Sequence, residues 1–155
     1  MSTLLRIDSL WKSYASGVRG CSARIWVLRD LSLAVEEGES VAVVGRPGAG
    51  KRTLLHCILG LRRPDAGVVT APGLVSGVLG VHLSSNSRRV RESMDGDSTQ
   101  RALLLLAERV NELPRVDRLL ELREGRLFAL RNGAPLARRV AEVSMLSTPT
   151  SPFDP

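Results

Sequence analysis

The sequence has few of the residues on which many specialised proteins depend. Aromatic side chains make up 3% of its 155 residues, so the core must be built from leucine, valine and alanine. Its two cysteines, Cys21 and Cys57, have no CxxC partner or nearby histidine pair, and Cys57 is expected to be a small core residue rather than a ligand. No apolar run approaches the ~20 residues of a membrane helix. We therefore expect a cytoplasmic protein without a transmembrane segment, peripheral at the inner membrane only through a partner.

The positive charge of the chain comes almost wholly from arginine. Lys12 and Lys51 are the only lysines in a chain of net charge +6. The arginines are scattered along the sequence, each usually near an acid, whereas a nucleic-acid surface needs them clustered with aromatic residues that stack on bases. We therefore expect no nucleic-acid binding.

A glycine-rich loop, GRPGAGKRT (45–53), lies between the apolar run SVAVV and the apolar stretch LLHCILGL. It matches GxxxxGK, in which glycines let backbone N–H groups approach phosphate oxygens and lysine adds a charge. The helix that begins after the loop adds its N-terminal dipole at the same point. The residues expected to hold the phosphates of ATP are Gly45, Gly48, Ala49, Gly50, Lys51, Arg52 (through its backbone N–H) and Thr53.

Arg52 stands where such loops usually carry the hydroxyl that coordinates Mg²⁺. A guanidinium cannot ligate a cation and would repel it. Thr53, one residue later, lies about 100° further round the helix and is poorly aimed at a metal. The loop therefore predicts ATP binding better than hydrolysis, argues against Mg²⁺ as a cofactor and leaves no residue predicted to bind a metal.

Apolar patterns outside the loop predict a mixed α/β chain. The polar segment 84–100 has no apolar period and is expected to be a flexible linker, and 147–155 a disordered tail. The predicted elements are strands in 4–14 and 24–45, a helix at 51–61, two short strands in 66–83, a buried strand or the start of a helix at 101–108, a helical turn at 109–114, a hairpin in 117–130 turning at Glu124–Gly125, and a short amphipathic helix at 134–146.

The residues around the loop resemble the nucleotide-binding domain of ABC transporters. The resemblance runs through LLRIDSLWKSYASG, VLRDLSLAVEEGESVAVVG and GRPGAGKRTLLHCILGLRRPDAGVV, and again through PRVDRLLELREGRL. It implies a P-loop NTPase-like α/β core with an antiparallel β-subdomain from about the first 35 residues. It also implies that Tyr14 stacks on adenine. On this resemblance, residues 1–146 form a single truncated domain.

Between the two matching regions the chain departs from the family pattern. An LSGGQ-type signature is absent, Ser84 stands where the family has glutamine, and the linker 84–100 replaces the helical subdomain. The strand Leu103–Glu108 fits two positions. As a Walker B strand, it would have Ala107 at the metal-binding Asp and Glu108 as the catalytic carboxylate. As the strand that ends in the switch histidine, it would have Glu108 in place of that histidine. The spacing to DRLLELREGRL favours the second.

These patterns favour an ATP-binding protein that resembles an ABC transporter ATPase subunit, with weak or no hydrolysis and with Glu108 as a weak catalytic candidate. One alternative is a non-catalytic interaction subunit that docks onto a membrane permease or a partner ATPase; it predicts an exposed apolar patch near 73–83. The other is an unrelated small P-loop enzyme, which predicts that Glu108 or Asp95 approaches Lys51.

Overall fold

A computed structural model describes residues 2–75, 79–84, 102–113 and 115–130 of the chain. Most of these residues belong to two β-sheets. The strands are β1 (Thr3–Ala15), β2 (Arg24–Glu36), β3 (Ser40–Val44), β4 (Ala66–Thr70), β5 (Leu79–Ser84), β6 (Ala102–Ala107), β7 (Arg118–Arg123) and β8 (Arg126–Leu130). The helices are α1 (Lys51–Ile58), α2 (Pro72–Val75) and a 3-10 turn at Val110–Glu112.

The N-terminal sheet is antiparallel, with strand order β2-β1-β4. Its two long strands alternate buried and exposed positions, as a sheet with one solvated face requires. The buried apolar side chains of these two strands are Leu4, Leu5, Ile7, Leu10, Leu28, Leu31, Leu33 and Val35. The predicted antiparallel β-subdomain is confirmed, but its third strand comes from residues 66–70, beyond the first 35 residues.

The second sheet has strand order β5-β6-β3-β7-β8, and its first four strands are parallel. Both faces of its central strands are covered. Val43 and Leu104 face the main core, whereas Ala42 and Leu105 face a second apolar cluster. Burial on both faces explains the continuous apolar runs Val41–Val44 and Ala102–Ala107, because no position within them is left for a polar residue. Residues 102–107 are therefore a strand, and the helical alternative for this segment is wrong.

A tight hairpin joins β7 to β8 at Glu124 and Gly125, as predicted. Both residues have positive φ angles, 52° and 78°, which is the conformation of a type I′ turn. The turn lies against β2: Arg29 N–H donates to the Gly125 carbonyl at 2.9 Å. A Cβ on Gly125 would come within 2.5 Å of the Val27 carbonyl oxygen, so only glycine allows this approach of the two sheets.

The helix after the loop is shorter than predicted, because α1 ends at Ile58 rather than at residue 61. Gly60 has a φ of 72°, and Leu61 N–H donates back to the His56 carbonyl at 2.8 Å. This Schellman motif terminates the helix before Pro64 is reached. Cys57 is buried in the core, as expected.

Helices are few in the part of the chain that the structure describes. The two short strands predicted within 66–83 are confirmed as β4 and β5, whereas the four-residue α2 between them was not predicted. Ser84 is the last residue of β5, whereas the rest of the predicted linker, the helix at 134–146 and the tail at 147–155 lie outside the described residues. Within the described ranges no helix has the length and hydropathy of a membrane span.

Candidate functional site

The glycine-rich loop connects β3 to α1 and is held between neighbouring strand ends. Gly45 N–H donates to the Ala107 carbonyl at 3.2 Å, and a Cβ on Gly45 would lie 2.7 Å from the Leu122 carbonyl oxygen. Gly48 and Gly50 have φ angles of 82° and 110°, which L side chains rarely adopt. The loop needs glycine for two reasons: space at its first position, and backbone conformation at the two later ones.

Lys51, the first residue of α1, folds back into this loop. Its side chain is 7% exposed, and its Nζ donates to the carbonyl oxygens of Gly45 and, at 2.9 Å, Arg46. Burial lowers the pKa of Lys51, and the charge of Glu108 partly offsets that effect. A buried ammonium group inside a glycine loop at a helix N-terminus fits an anionic ligand such as a phosphate chain.

The next two positions differ sharply in their surroundings. Arg52 is exposed and has no ion-pair partner among the described residues. Thr53 is half-buried, and its Oγ1 lies 3.5 Å from the hydroxyl oxygen of Tyr14. In the described part of the chain, no three His, Cys, Asp or Glu side chains are grouped closely enough to hold a metal ion.

Tyr14 reaches the first turn of α1 from the end of β1. Its backbone pairs with Ile25 of β2, and its ring is half-buried. Two cations approach the ring: Lys12 Nζ lies 5.6 Å, and the guanidinium carbon of Arg62 5.9 Å, from its centroid. The structure thus brings together the predicted adenine-stacking residue and the predicted phosphate-binding loop.

Glu108 is the carboxylate at the neighbouring strand end. It follows Ala107, which pairs with Val44 in the parallel ladder directly before the loop. Glu108 is exposed, and its charge acts on Lys51 across the strand ends. Ala107 is fully buried and offers no polar group at the position where a Walker B strand would place an acid. Asp95, the other acid considered, lies outside the described residues.

An open cleft of about 810 Å³ borders the outer side of the loop. The sequence did not predict it, and Tyr14, Lys51 and Thr53 do not line it. It shares only residues 46–49 with the candidate site; its other walls are the start of β2 and the β7–β8 hairpin. The hairpin's contribution could have been suspected from Phe128, an aromatic residue in a chain with few, which is 40% exposed.

Asp65 was also missed by the sequence reasoning. It is hydrogen-bonded to Ser13, the residue that precedes Tyr14. The sequence carries little signal for this contact, because Asp is common in turns and Asp65 lies in the turn between α1 and β4.

Comparisons with known proteins agree on the kind of chain this is. A family model described as "ABC transporter" matches residues 28–124. The chain is 42% identical over 73 residues to a nickel import ATP-binding protein, NikE, of Brucella suis, and 40% identical over 78 residues to a polysialic acid transport ATP-binding protein, KpsT, of Escherichia coli. These matches cover 46% and 50% of this chain, but only 27% and 33% of the relatives.

A third relative and a solved structure complete the comparison. The lipoprotein-releasing system ATP-binding protein LolD of Geobacter metallireducens is 45% identical over 73 residues, which are 47% of this chain and 31% of that relative. The solved structure is a dimeric, post-hydrolysis state of the ATP-binding cassette MJ0796 bound to ADP and Pi. It matches with a TM-score of 0.60 at 11% identity, covering 83% of this chain and 100% of the other. At that identity the likeness concerns the fold alone.

Proposed function

Because the chain belongs to the ABC transporter family, we propose that it binds ATP through the loop at residues 45–53 and hydrolyses it weakly or not at all. The observation that carries this proposal is the contrast between Lys51 and Arg52. Lys51 is enclosed by loop carbonyls in a glycine cradle, whereas Arg52 occupies the position of the metal-binding hydroxyl. The groups that bind phosphates are present, whereas the metal-binding hydroxyl needed for hydrolysis is replaced.

Nucleotide binding rests on groups that already lie side by side. Phosphates would take hydrogen bonds from the backbone N–H groups of the loop and the charge of Lys51. The base would stack on Tyr14, whose hydroxyl lies 3.5 Å from Thr53 at the start of the same helix. The short span from the ring to the loop suits a single nucleotide that bridges both.

The side chains around Lys51 are the reason to expect weak hydrolysis. Metal-assisted phosphoryl transfer requires a hydroxyl and an acid for Mg²⁺ and a group that orients the attacking water. Arg52 replaces the hydroxyl, and neither alignment of the strand Leu103–Glu108 supplies the acid. As a Walker B strand it has the apolar Ala107 at that position, and as the switch-histidine strand it leaves Walker B missing.

Glu108 follows the strand on one side of β3, and Glu121 pairs with Val44 on the other side. The charge of Glu108 acts on Lys51. Without the hydroxyl and the acid, these residues do not fit Mg²⁺.

In binding, the positive charge of Arg52 would neutralise part of the phosphate charge that a metal ion otherwise neutralises. Metal-free ATP carries more negative charge than its magnesium complex, and the exposed guanidinium stands at the second residue of the helix that faces the phosphates. We therefore expect metal-free ATP to bind at least as well as magnesium ATP.

The names of the relatives connect them with import of nickel, transport of polysialic acid and release of lipoproteins. These cargoes differ, so the shared element is a transport system rather than a substrate. We propose that this chain acts at the cytoplasmic face of the membrane with a membrane permease or a complete ATPase subunit as its partner.

The two alternatives fare differently. The interaction of Glu108 with Lys51 agrees with an unrelated P-loop enzyme. The family match over residues 28–124 argues against that alternative. The docking subunit requires exposed apolar side chains near 73–83, but Leu74 and Val81, which are described there, are partly buried against the core. ATP binding is therefore preferred to docking without nucleotide.

Equilibrium titration of the full chain with ATP, in the presence of Mg²⁺ and then of a chelator, tests the proposal. We expect saturable binding in both conditions, at least as tight with the chelator. No binding at millimolar ATP by a folded chain would overturn the proposal and favour the docking subunit.

A further inference from the structure

Asp65 links the segment after α1 to the strand that carries Tyr14. Its Oδ2 accepts hydrogen bonds from the backbone N–H of Ser13 at 2.6 Å and from the Ser13 hydroxyl at 2.8 Å. The Asp65 N–H donates to the Trp11 carbonyl at 2.9 Å. Asp65 thus binds two backbone groups of β1, the carbonyl of Trp11 and the N–H of Ser13.

The place of this contact in the sheet explains its importance. The pairing of β1 with β4 ends at Trp11 and Ala66, so beyond that point β1 has no strand on this side. The Asp65 carboxylate takes over as the acceptor for the next amide along β1. The register between β1 and β2 also shifts between Lys12 and Ser13, and an irregularity of this kind re-aims the side chains that follow it.

Two basic side chains, Lys12 and Arg24, join the Ser13 hydroxyl around the Asp65 carboxylate. Lys12 Nζ lies 3.2 Å from Oδ1, and Arg24 Nη2 lies 3.4 Å from Oδ2. Arg24 Nε also donates to the Ser13 hydroxyl oxygen at 2.7 Å, and Ser13 is only 2% exposed. These bonds lower the pKa of Asp65, chiefly through Ser13. The cluster therefore fixes the backbone on the N-terminal side of Tyr14 from both β2 and the turn after α1.

We propose that Asp65 is a positioning residue for nucleotide binding, which holds Ser13 so that the ring of Tyr14 lies over the first turn of α1 where the base must stack. This inference rests on the proposed function. It assigns to Asp65 a role exerted through Tyr14 and not through contact with the nucleotide. Loss of Asp65 should consequently weaken recognition of the base and leave recognition of the phosphates intact.

Two ligands separate these effects. ATP uses both the ring and the loop, whereas inorganic tripolyphosphate uses the loop alone. We expect Asp65→Ala to weaken ATP binding by about tenfold, the scale of one lost base-stacking contact, and to change tripolyphosphate binding by less than about twofold. Calorimetric titration of the full chain with each ligand gives the two dissociation constants.

The chain offers a closely matched control. Asp117 Oδ2 accepts from the Ser40 N–H at 2.8 Å and from the Ser40 hydroxyl at 2.7 Å, the same pair of bonds at the start of β3. Asp117→Ala removes them at the end of β3 opposite the loop, so it reproduces the structural loss. It should leave the ratio of the ATP and tripolyphosphate dissociation constants unchanged.

A double-substitution cycle shows whether Asp65 acts through Tyr14. We expect Asp65→Ala to add less than about twofold to the loss of ATP affinity caused by Tyr14→Ala, because the ring is already gone. Should Asp65→Ala fail to fold by circular dichroism, Asp65→Asn serves instead. It keeps an oxygen that can accept from Ser13 and loses the charge, and about a threefold loss confined to ATP is expected.

Equal losses for both ligands, unchanged ATP affinity, or full additivity with Tyr14→Ala would overturn the assignment. Its failure is distinguishable from failure of the proposed function. If the unsubstituted chain binds neither ligand, the proposed function is wrong; if it binds both, with Asp65 substitutions having no selective effect, the inference alone is wrong.

Discussion

The side-chain ammonium group of Lys51 donates a hydrogen bond to the carbonyl oxygen of Gly45, so that the lysine after the loop closes onto the residue that begins it. A second bond, to the Arg46 carbonyl at 2.9 Å, holds the charge on the same side. The loop is thus wrapped around a buried cation. Burial disfavours the charged amine, so this arrangement costs some stability of the fold. In return it places a positive charge where a phosphate would bind.

Lys51→Met should abolish most nucleotide binding without destabilising the fold. Methionine has a similar length and carries no charge to desolvate, so we expect the free energy of unfolding to change by less than about 1 kcal/mol. ATP affinity should fall by about tenfold to a hundredfold, since a charge-assisted hydrogen bond to phosphate is lost. Urea unfolding and ATP titration of the same variant check both parts. A large loss of stability with ATP affinity preserved would contradict the account.

Arg52→Ser should change the response of binding to magnesium. It restores a hydroxyl and removes a charge, so affinity for metal-free ATP should fall by about fivefold relative to that for magnesium ATP, from a surface charge interaction of about 1 kcal/mol. Parallel titrations with Mg²⁺ and with a chelator measure the ratio. Arg63→Ser is the control, because it removes the same charge beyond the other end of α1. A ratio that shifts equally in both variants would remove the special role of Arg52.

Gly45→Ala should be more destabilising than Gly48→Ala. A Cβ at residue 45 meets the Leu122 carbonyl at 2.7 Å, whereas at residue 48 nothing lies within 4 Å. We expect costs of about 2–3 kcal/mol for the backbone overlap and about 1 kcal/mol for the positive φ angle alone. Urea denaturation of the two variants gives the comparison. The opposite order would show that the positive φ of Gly48 is a stricter requirement for glycine than the contact of Gly45 with β7.

Asp117→Asn should reduce stability near neutral pH but not in acid. Its bonds to Ser40 lower the pKa of Asp117 below the ordinary value of 3.8. A carboxylate with a depressed folded pKa stabilises the fold above its unfolded pKa, and this contribution is lost as pH falls through the folded value. We expect a difference of less than about 1 kcal/mol at pH 7, because solvent screens the exposed Asp117 carboxylate. It should disappear as the pH falls below the ordinary pKa of 3.8.

Urea unfolding of the unsubstituted chain and the variant across that range measures the difference. Asp8→Asn, which breaks an exposed ion pair with Arg6, serves as a control and should leave the free energy of unfolding unchanged within the error of the measurement. A difference for Asp117→Asn that persists at pH 2 would assign the effect to packing instead of charge.

The parts of the fold that follow from local rules were predictable from the sequence. VAVV is apolar at every position because both faces of β3 are covered, and Glu124-Gly125 supplies the two positive φ angles of a tight hairpin. The same pattern in ALLLLA predicted burial but left strand and helix open. The glycine loop was recognised for the same kind of reason, since each glycine answers a local need. These features depend on few residues, close together in sequence.

The parts that were missed depend on contacts across long separations. β4 joins β1 over about sixty residues of sequence, and nothing in AGVVT itself names that partner. The role of Asp65 could not be seen because Ser13, its partner, is 52 positions away. The end of α1 was placed too late, because the apolar period continues through Leu59 and Leu61 although the positive φ of Gly60 ends the helix. Residue identity constrains local geometry, whereas the pairing of distant segments requires the packed structure.

Measurement of phosphate release by the full chain, under conditions where ATP titration shows the site to be saturated and Mg²⁺ is present, tests the central claim most directly. The account predicts saturable ATP binding with phosphate release no faster than that of the Lys51→Met variant under the same conditions. Robust magnesium-dependent release that is lost in Lys51→Met would contradict it, and would show that the residues around Lys51 still cut the nucleotide that they bind.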